Sequence, residues 1–226
     1  MKRARPIIAI DGPVGAGKST VAERLARALG FEYVNTGAMY RAVAVAARAA
    51  GIDADDPEAE RKLDQLLAGT RIDFSDGRVS LNGRDITAEI GSPEIGESAS
   101  RLSTLRVVRE RMRDLQRAAG ARGGVVMEGR DIGTAVFPDA EFKFFLDASP
   151  EVRAERRWRE LAARGVKITR EEVLAQLLER DRRDRERELA PLIPAPDAIV
   201  IDASRLGVDE VVALMAQHIK ARGGAS

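Results

Sequence analysis

The chain has 226 residues, enough for one sizeable α/β domain or a core with inserted subdomains, and 44% of them are hydrophobic. Its 37 Lys and Arg nearly balance 36 Asp and Glu, which excludes a general attraction to nucleic acid or to an anionic membrane. It has no Cys, which excludes disulfides, thiolate metal sites and Cys nucleophiles and fits the cytoplasmic location that we expect. No stretch is long enough to predict a membrane span.

The first motif is a glycine-rich loop between an apolar run and a helical pattern. Residues 7–10 predict a buried strand, and Val21 and Leu25 begin a helical apolar stripe. Glycines let successive backbone N–H groups turn toward a phosphate, and a helix N-terminus adds its positive dipole end. We therefore predict a nucleotide-phosphate loop in which Lys18 reaches the β- and γ-phosphates and the Ser19 hydroxyl lies on Mg²⁺. The residues of this predicted loop are Gly12, Pro13, Val14, Gly15, Ala16, Gly17, Lys18, Ser19 and Thr20.

The next segment predicts a strand over residues 31–35 and a helix from 38 to about 51. At the turn between them, Thr36 is either a simple helix cap or a site residue. Arg41, on the helix, is either a solvated side chain or a site residue. A short amphipathic helix is expected over residues 57–67.

From residue 70 onward the apolar period changes from helical to alternating. The dipeptides Asp76-Gly77 and Asn82-Gly83 separate three short alternating runs, and such dipeptides are strong hairpin signals. We predict a small antiparallel meander inserted into a chain that otherwise alternates strands and helices. Residues 89–120 are then expected to be largely helical.

Three further buried strands are predicted at residues 124–128, 142–147 and 198–202, with a closing helix from about Val208. Five strands separated by helical segments favour a parallel sheet covered by helices on both faces. Ligands bind at the carboxyl ends of the strands in such sheets. The glycine-rich loop falls at that edge, together with Thr36, Arg130, Asp131 and Asp147.

Residues 150–188 form two Arg-rich helical segments that are a candidate lid, and every residue from 179 to 188 is charged. One interpretation is a solvated helix with ion pairs such as Glu179–Arg183 and Arg180–Asp184. The other is that Arg180, Asp184 and Arg187 point together into an anionic site. The charge pattern leaves both interpretations open.

A phosphate loop by itself is compatible with a kinase, a GTPase, an ATPase or a passive nucleotide-binding protein. The chain has no Asn-Lys-x-Asp motif for guanine, and it has more Arg near predicted strand ends than one triphosphate needs. These features favour a small-molecule kinase, because positioned cations do most of the work in phosphoryl transfer. An acceptor that is itself a phosphate needs no general base, whereas a hydroxyl acceptor would need a carboxylate such as Asp131.

The sequence resembles the bacterial cytidylate kinase family over nearly its whole length, least clearly over residues 53–97. The resemblance is carried by residues 8–19, 35–41, 128–140, 145–149, 179–185 and 190–192. Its most specific parts are Gly-Arg-Asp-Ile-Gly-Thr, which begins at Gly129, and Arg-Asp-x-x-Asp-Arg, which begins at Arg180. Thr36 and Glu128 depart from the Ser and Asp frequent in that family, and both keep the polar chemistry.

The resemblance implies transfer of the γ-phosphate of ATP to CMP or dCMP with Mg²⁺. It implies a catalytic set of Lys18, Arg130, Asp131, Arg156 and Arg187. It also implies that the acceptor phosphate is bound by Thr36, Arg41, Arg130 and Arg187, the cytosine ring by Ser100, Arg109 and Asp131, and the sugar hydroxyls by Arg180 and Asp184. Cytosine suits such a set, since its amine donates to Asp or Ser and its O2 and N3 accept from Arg. The lid arginines expected to close on the triphosphate are Arg153, Arg156 and Arg157.

The domain organisation implied by the resemblance is one kinase domain over residues 1–226. Its core would comprise about 1–35, 121–149 and 189–226, with a monophosphate-binding insertion at about 36–120 and a lid at about 150–188. We expect ATP and CMP or dCMP as substrates, no nucleic acid or membrane partner, and a monomer. The alternatives are a uridylate/cytidylate or other small-molecule kinase, and a non-catalytic nucleotide-binding protein.

Overall fold

The structure, a computed structural model, describes residues 3–75 and 78–223. Its strands are β1 Ile7–Asp11, β2 Glu32–Asn35, β3 Ile72–Ser75, β4 Arg78–Leu81, β5 Arg84–Asp85, β6 Val125–Gly129, β7 Phe142–Asp147 and β8 Ile199–Asp202. Its α-helices are α1 Lys18–Leu29, α2 Thr36–Ala49, α3 Ala59–Ala68, α4 Pro93–Leu102, α5 Arg106–Gly120, α6 Pro150–Ala163, α7 Arg170–Glu186 and α8 Val208–Gly223. A 3₁₀ turn at Glu89–Gly91 and a π-helical turn at Ile132–Val136 complete the elements. No described helix is both long enough and apolar enough to cross a membrane.

The chain divides into two compact units, which are described separately. The first unit comprises residues 1–34 and 120–226, and the second comprises Asn35–Ala119. A five-stranded sheet in the order β2-β6-β1-β7-β8 forms the framework of the first unit. The pairings of β1 with β6, β1 with β7, and β7 with β8 are parallel, which confirms the predicted fold class.

The central strand β1 is buried along its whole length, as its unbroken apolar run predicts. Ile8 and Ile10 belong to one core cluster that includes Leu25 of α1, Phe144 of β7 and Met215 of α8. This core fixes the position of α1 relative to the strand that precedes it in the chain. It thereby also fixes both ends of the glycine-rich loop between them.

The sheet register brings the carboxyl ends of the strands to one edge. Asp11, the last residue of β1, lies opposite Gly129 of β6 and Phe145 of β7. Asp147 of β7 lies opposite Asp202 of β8. The segments that follow β1, β6 and β7 therefore leave the sheet side by side.

The second unit contains the predicted antiparallel meander, with strand order β3-β4-β5. Asn82 and Gly83 both have positive φ values, 50° and 81°, as a two-residue hairpin turn between twisted strands requires. The other predicted turn, Asp76-Gly77, lies outside the described residues. The strands on either side of it, β3 and β4, pair antiparallel.

One boundary in the second unit differs from the prediction. Helix α2 begins at Thr36, and its cap is Asn35, whose Oδ1 accepts a hydrogen bond from the backbone N–H of Ala38 at 3.0 Å. Residues 89–120 are largely helical, as predicted, with a break between α4 and α5. There the hydroxyl groups of Ser103 and Thr104 donate to main-chain carbonyls three residues earlier, and such bonds compete with continuation of a helix. The carboxylate of Glu60 accepts hydrogen bonds from the first backbone N–H groups of α5.

We expect Gly12→Ala to lower the free energy of unfolding by more than about 3 kcal/mol, from backbone strain and overpacking together. Gly12 has a φ of 147°, and a Cβ there would lie 2.0 Å from the carbonyl oxygen of Leu146. The matched control is Gly30→Ala, because Gly30 also has positive φ, 62°, but no heavy atom of the described residues beyond its chain neighbours lies within 4 Å of a Cβ at this position. That control should cost about 1 kcal/mol. Urea unfolding without nucleotide measures the free energy of unfolding of both variants. Equal losses of stability would contradict the close approach of Gly12 to Leu146.

Candidate functional site

The glycine-rich loop joins β1 to α1 at the carboxyl edge of the sheet. Gly15 and Gly17 have positive φ values of 78° and 96°, and Gly17 is the N-cap of α1. No side chain among the described residues caps this helix, and its first turn contains no acidic residue. Its N-terminal N–H groups are therefore suited to bind an anion. Thr20, also predicted at the phosphates, lies exposed in this first turn.

Lys18 is buried, and its Nζ donates a hydrogen bond to the carbonyl oxygen of Pro13 at 2.7 Å. Burial lowers the pKa of Lys18 to about 7, and the positive charge of Arg130 adds to this effect. The carboxylates of Glu128 and Asp11 oppose the shift. The ammonium group is thus held against the loop, where an anionic ligand would stabilise its charged form.

Ser19, the residue predicted at Mg²⁺, donates its hydroxyl hydrogen to Oε1 of Glu128 at 2.9 Å. Glu128 lies near the end of β6, the strand beside β1, and is 5% exposed. Within the described residues no cluster of three or more acidic or histidine side chains could hold a metal ion by itself. A hydroxyl and a carboxylate are nonetheless the oxygen ligands that Mg²⁺ takes when it binds together with nucleotide phosphates.

Two arginine–aspartate contacts lie beyond the loop in the first unit. Nε of Arg130 lies 3.0 Å from Oδ2 of Asp184, and Nη2 of Arg187 lies 3.4 Å from Oδ1 of Asp131. Burial would raise the pKa of Asp184, but Arg130, Arg180 and Arg187 outweigh it and hold that pKa below its usual value. Asp184 therefore stays ionised. The structure thus brings five of the predicted site residues into one cluster: Arg130, Asp131, Arg180, Asp184 and Arg187.

Asp11 is a site feature that we did not predict from the sequence. Its carboxylate accepts hydrogen bonds from the backbone N–H groups of Ile132 and Gly133, at 2.8 and 2.7 Å. These residues begin the π-helical turn that directly follows Asp131, so Asp11 fixes the backbone of the segment that carries Arg130 and Asp131. The acidic ending of β1 was the only available sequence signal, since a π-helical turn has no simple pattern.

Helix α7 combines the two interpretations left open for its charge run. On its outer side Arg182 pairs with Glu179 at 2.8 Å and with Glu186 at 2.9 Å, and all three are exposed. On its inner side Asp181 and Asp184 are 4% and 3% exposed. The exposed ion pairs of Arg182 fit the first interpretation, and the burial of Asp181 and Asp184 fits the second.

The three arginines of α6 differ in their surroundings. Arg157 is partly exposed and pairs with Glu160 at 2.8 Å. Arg156 donates to the carbonyl of Ala203 at 2.8 Å and reaches the carbonyl of Ala16 in the loop at 3.4 Å. Arg153, the third arginine expected to close on the triphosphate, is 2% exposed.

The remaining predicted residues lie in the second unit. Arg41 on α2 donates to the carbonyl oxygens of Ile90 and Ser92, at 2.6 and 3.3 Å. Helix α4 leaves room for this guanidinium at Gly96, where a Cβ would lie 2.9 Å from Arg41 Nη2. Thr36 at the start of α2, Ser100 on α4 and Arg109 on α5 are all buried.

Arg109 donates to the main-chain carbonyl of Ser103 at 3.3 Å. That carbonyl lies in the break between α4 and α5. The break therefore helps to orient Arg109. A single unbroken helix would not have provided this contact.

Comparison with known proteins assigns the chain to a family. A family model described as "Cytidylate kinase" matches residues 8–221. Cytidylate kinases from Geobacter sp. (strain M21) and Pelotomaculum thermopropionicum are each 50% identical to the chain, covering 96% of it and 93% and 96% of their own lengths. A crystal structure of an uncharacterized protein from Eubacterium ventriosum shares the fold, with a TM-score of 0.51, 13% identity and coverage of 96% of this chain and 99% of that one.

We expect binding of Mg·ATP to take up about one proton at about pH 8.5 and almost none at about pH 6. Free Lys18, with its pKa near 7, is mostly neutral at the higher pH, and the triphosphate should restore its charge by raising that pKa. Affinity should therefore fall as the pH rises above 7. Titration calorimetry in buffers of different ionisation enthalpy measures the uptake, with the lower pH as the control. Zero uptake at the higher pH would contradict the buried, neutral state of free Lys18.

Proposed function

This chain belongs to the cytidylate kinase family, and from that premise we propose that it transfers the γ-phosphate of ATP to CMP or dCMP. The observation that carries the proposal is the juxtaposition, within the first unit, of a phosphate loop with two arginine–aspartate contacts. One anion-binding loop would suffice for a protein that only binds a nucleotide. The additional cations beside it suit a second phosphate group.

The donor triphosphate would bind at the loop between β1 and α1. The N–H groups of the loop and of the first turn of α1 would surround its phosphates, and Lys18 would leave the carbonyl of Pro13 for the β- and γ-phosphates. Arg156 and Arg157 of α6 are the arginines that we assign to the triphosphate. They are less buried than Arg153, so they are better placed to bind it.

In the transfer, an oxygen of the acceptor phosphate forms a bond to the γ-phosphorus as the bond from that phosphorus to the β–γ bridging oxygen breaks, giving ADP and CDP or dCDP. The acceptor phosphate is already ionised at neutral pH, so no residue has to remove a proton from it. Arg130 and Arg187 would stabilise the charge that spreads over the equatorial oxygens. Asp184 and Asp131 would keep these two guanidinium groups in position.

For the acceptor we propose the predicted residues, by family membership and by chemistry. Thr36, Arg41, Arg130 and Arg187 would bind its phosphate. Ser100, Arg109 and Asp131 would bind the cytosine ring, and Arg180 and Asp184 the sugar hydroxyls. Cytosine and uracil differ at the 4-position, where cytosine presents a donor and uracil an acceptor, so a carboxylate such as Asp131 favours cytosine.

Mg²⁺ would bind together with ATP, with the Ser19 hydroxyl as a ligand. Glu128, which accepts the hydrogen bond of Ser19, would orient that hydroxyl. The bound ion would supply positive charge to the phosphate oxygens.

We further propose a monomer in the cytoplasm, with residues 36–120 as the monophosphate-binding region and 150–188 as the lid. Closing of a lid over two nucleotides would exclude the water that could otherwise accept the phosphoryl group.

The first test is release of ADP with Mg·ATP and, in parallel, CMP, dCMP, UMP, AMP or no acceptor. We expect rapid turnover with CMP and dCMP only, because the cytosine amine needs an acceptor of the Asp or Ser type. Equal turnover with UMP would contradict the proposed contacts to cytosine. Binding of ATP without turnover of any acceptor would contradict the kinase.

Arg109→Ala should raise the KM for CMP by about tenfold or more, with little change in the KM for ATP. The reason is that a buried guanidinium would no longer donate to the cytosine ring. Arg113→Ala is the matched control, because Arg113 lies exposed on the same helix, α5. Steady-state kinetics with each substrate varied measures both variants. An equal effect of the two substitutions would argue against contact between Arg109 and the base.

A further inference from the structure

The carbonyl groups of the glycine-rich loop are held by cationic side chains. The carbonyl of Pro13 accepts from Lys18 at 2.7 Å, and that of Val14 accepts from Nη1 of Arg153 at 3.1 Å. In addition, Arg156 reaches the carbonyl of Ala16, as described above. Two of these three cations come from α6, which lies more than a hundred residues further along the chain.

The orientation of a carbonyl also decides the orientation of the next N–H group. The peptide unit is planar and trans, so the Val14 carbonyl and the Gly15 N–H belong to one rigid plane and point in opposite directions. When Arg153 holds the Val14 carbonyl, the Gly15 N–H must point away from Arg153. The flexible glycines of the loop would otherwise allow this plane to turn.

Arg153 is a rigid group in this arrangement. Besides Val14 it donates through Nε to the carbonyl of Ala148 at 2.9 Å, and its Nη2 lies 2.7 Å from Oδ2 of Asp181 on α7. Arg153 also packs against the loop nearer its main chain, because a Cβ on Gly15 would lie 3.1 Å from both the Cβ and the carbonyl oxygen of Arg153. The guanidinium therefore joins three elements: the loop, the end of β7 and α7.

Asp181 lies beside Arg153, and its charge also acts on Arg130. Its side chain is 6% exposed, and Oδ1 has no hydrogen-bond partner among the described residues. A buried guanidinium needs a compensating charge close by, and Asp181 supplies it.

We propose that Arg153 is a positioning residue for the phosphate donor, fixed by Asp181 and acting through the Val14 carbonyl. It keeps the Gly15 N–H turned toward the triphosphate and ties the loop to α7. The proposal rests on the proposed function only in that ATP is the ligand of the loop.

The test compares Arg153→Lys and Asp181→Asn with the unaltered chain. Lysine keeps the charge but lacks the guanidinium fork that reaches Val14 and Asp181 together. Asparagine keeps the shape of Asp181 and removes its charge. We expect the Kd for Mg·ATP, measured by calorimetry without acceptor, to rise about tenfold or more in each variant, since misplaced binding groups lose affinity steeply. The KM for CMP should change less than about twofold.

A double variant tests whether Asp181 affects ATP binding only through Arg153. If Asp181 acts only by holding Arg153, Arg153→Lys combined with Asp181→Asn should weaken ATP binding no more than the more severe single substitution. Arg159→Lys is the control, because Arg159 is an exposed arginine of the same helix that pairs with Glu155. It should leave the affinity for ATP unchanged.

Unchanged ATP affinity in folded variants would overturn the proposal. Equal changes in the kinetic constants for both substrates, accompanied by a lower melting temperature, would also overturn it, because they would indicate a purely structural role. Should Arg153→Lys fail to fold, the isosteric Asp181→Asn decides the question. Absence of CMP turnover by the unaltered chain would remove the proposed function. The comparison of ATP affinities would still decide the role of Arg153.

Discussion

Neutralisation of buried guanidinium groups by carboxylates is the constraint on which the carboxyl edge of the sheet depends. Arg153, Arg130 and Arg187 reach Asp181, Asp184 and Asp131, at 2.7, 3.0 and 3.4 Å. Without these carboxylates each arginine would be a buried charge, whose desolvation costs several kcal/mol. With them, a high density of positive charge can be held where phosphate groups would bind. Helix α7 supplies two of the three carboxylates, three residues apart and on one face.

Such ion pairs are costly to build and contribute little net stability compared with apolar contacts of the same size. The stability of the first unit has its source elsewhere, in the apolar cluster around Ile8, Ile10 and Phe144. The apolar core and the charged edge of the sheet therefore have separate roles. The core fixes the ends of β1, β6 and β7, and the charged side chains at those ends are then held in a geometry that solvent-exposed side chains could not keep.

The glycine-rich loop shows how closely the apolar core and the charged edge of the sheet are packed together. Gly12 lies against the carbonyl of Leu146 at the end of β7, and Gly15 lies against Arg153 at the start of α6. Arg153 is in turn bound to the end of β7. It donates to the carbonyl of Ala148 and lies near the carboxylate of Asp147, and these two residues follow Leu146 in the chain. The glycines are therefore required by packing as much as by the conformations that a phosphate-binding loop adopts.

Local pattern was sufficient to predict the five strands of the parallel sheet, the antiparallel meander and the loop, because apolar periodicity and glycine placement are properties of neighbouring residues. Contacts between distant residues could not be predicted in this way. The cap by Asn35, the break stabilised by Glu60 and the hydrogen bonds from the π-helical turn to Asp11 all depend on side-chain placement in three dimensions. Arg153 is the clearest case: its residue type predicted a phosphate contact, and only the structure shows that it is buried beside Asp181. The sequence by itself determined which chemical groups are present and in which order. Tertiary structure alone decided which charges neutralise one another, since the free energy of a buried charge depends on the groups packed around it.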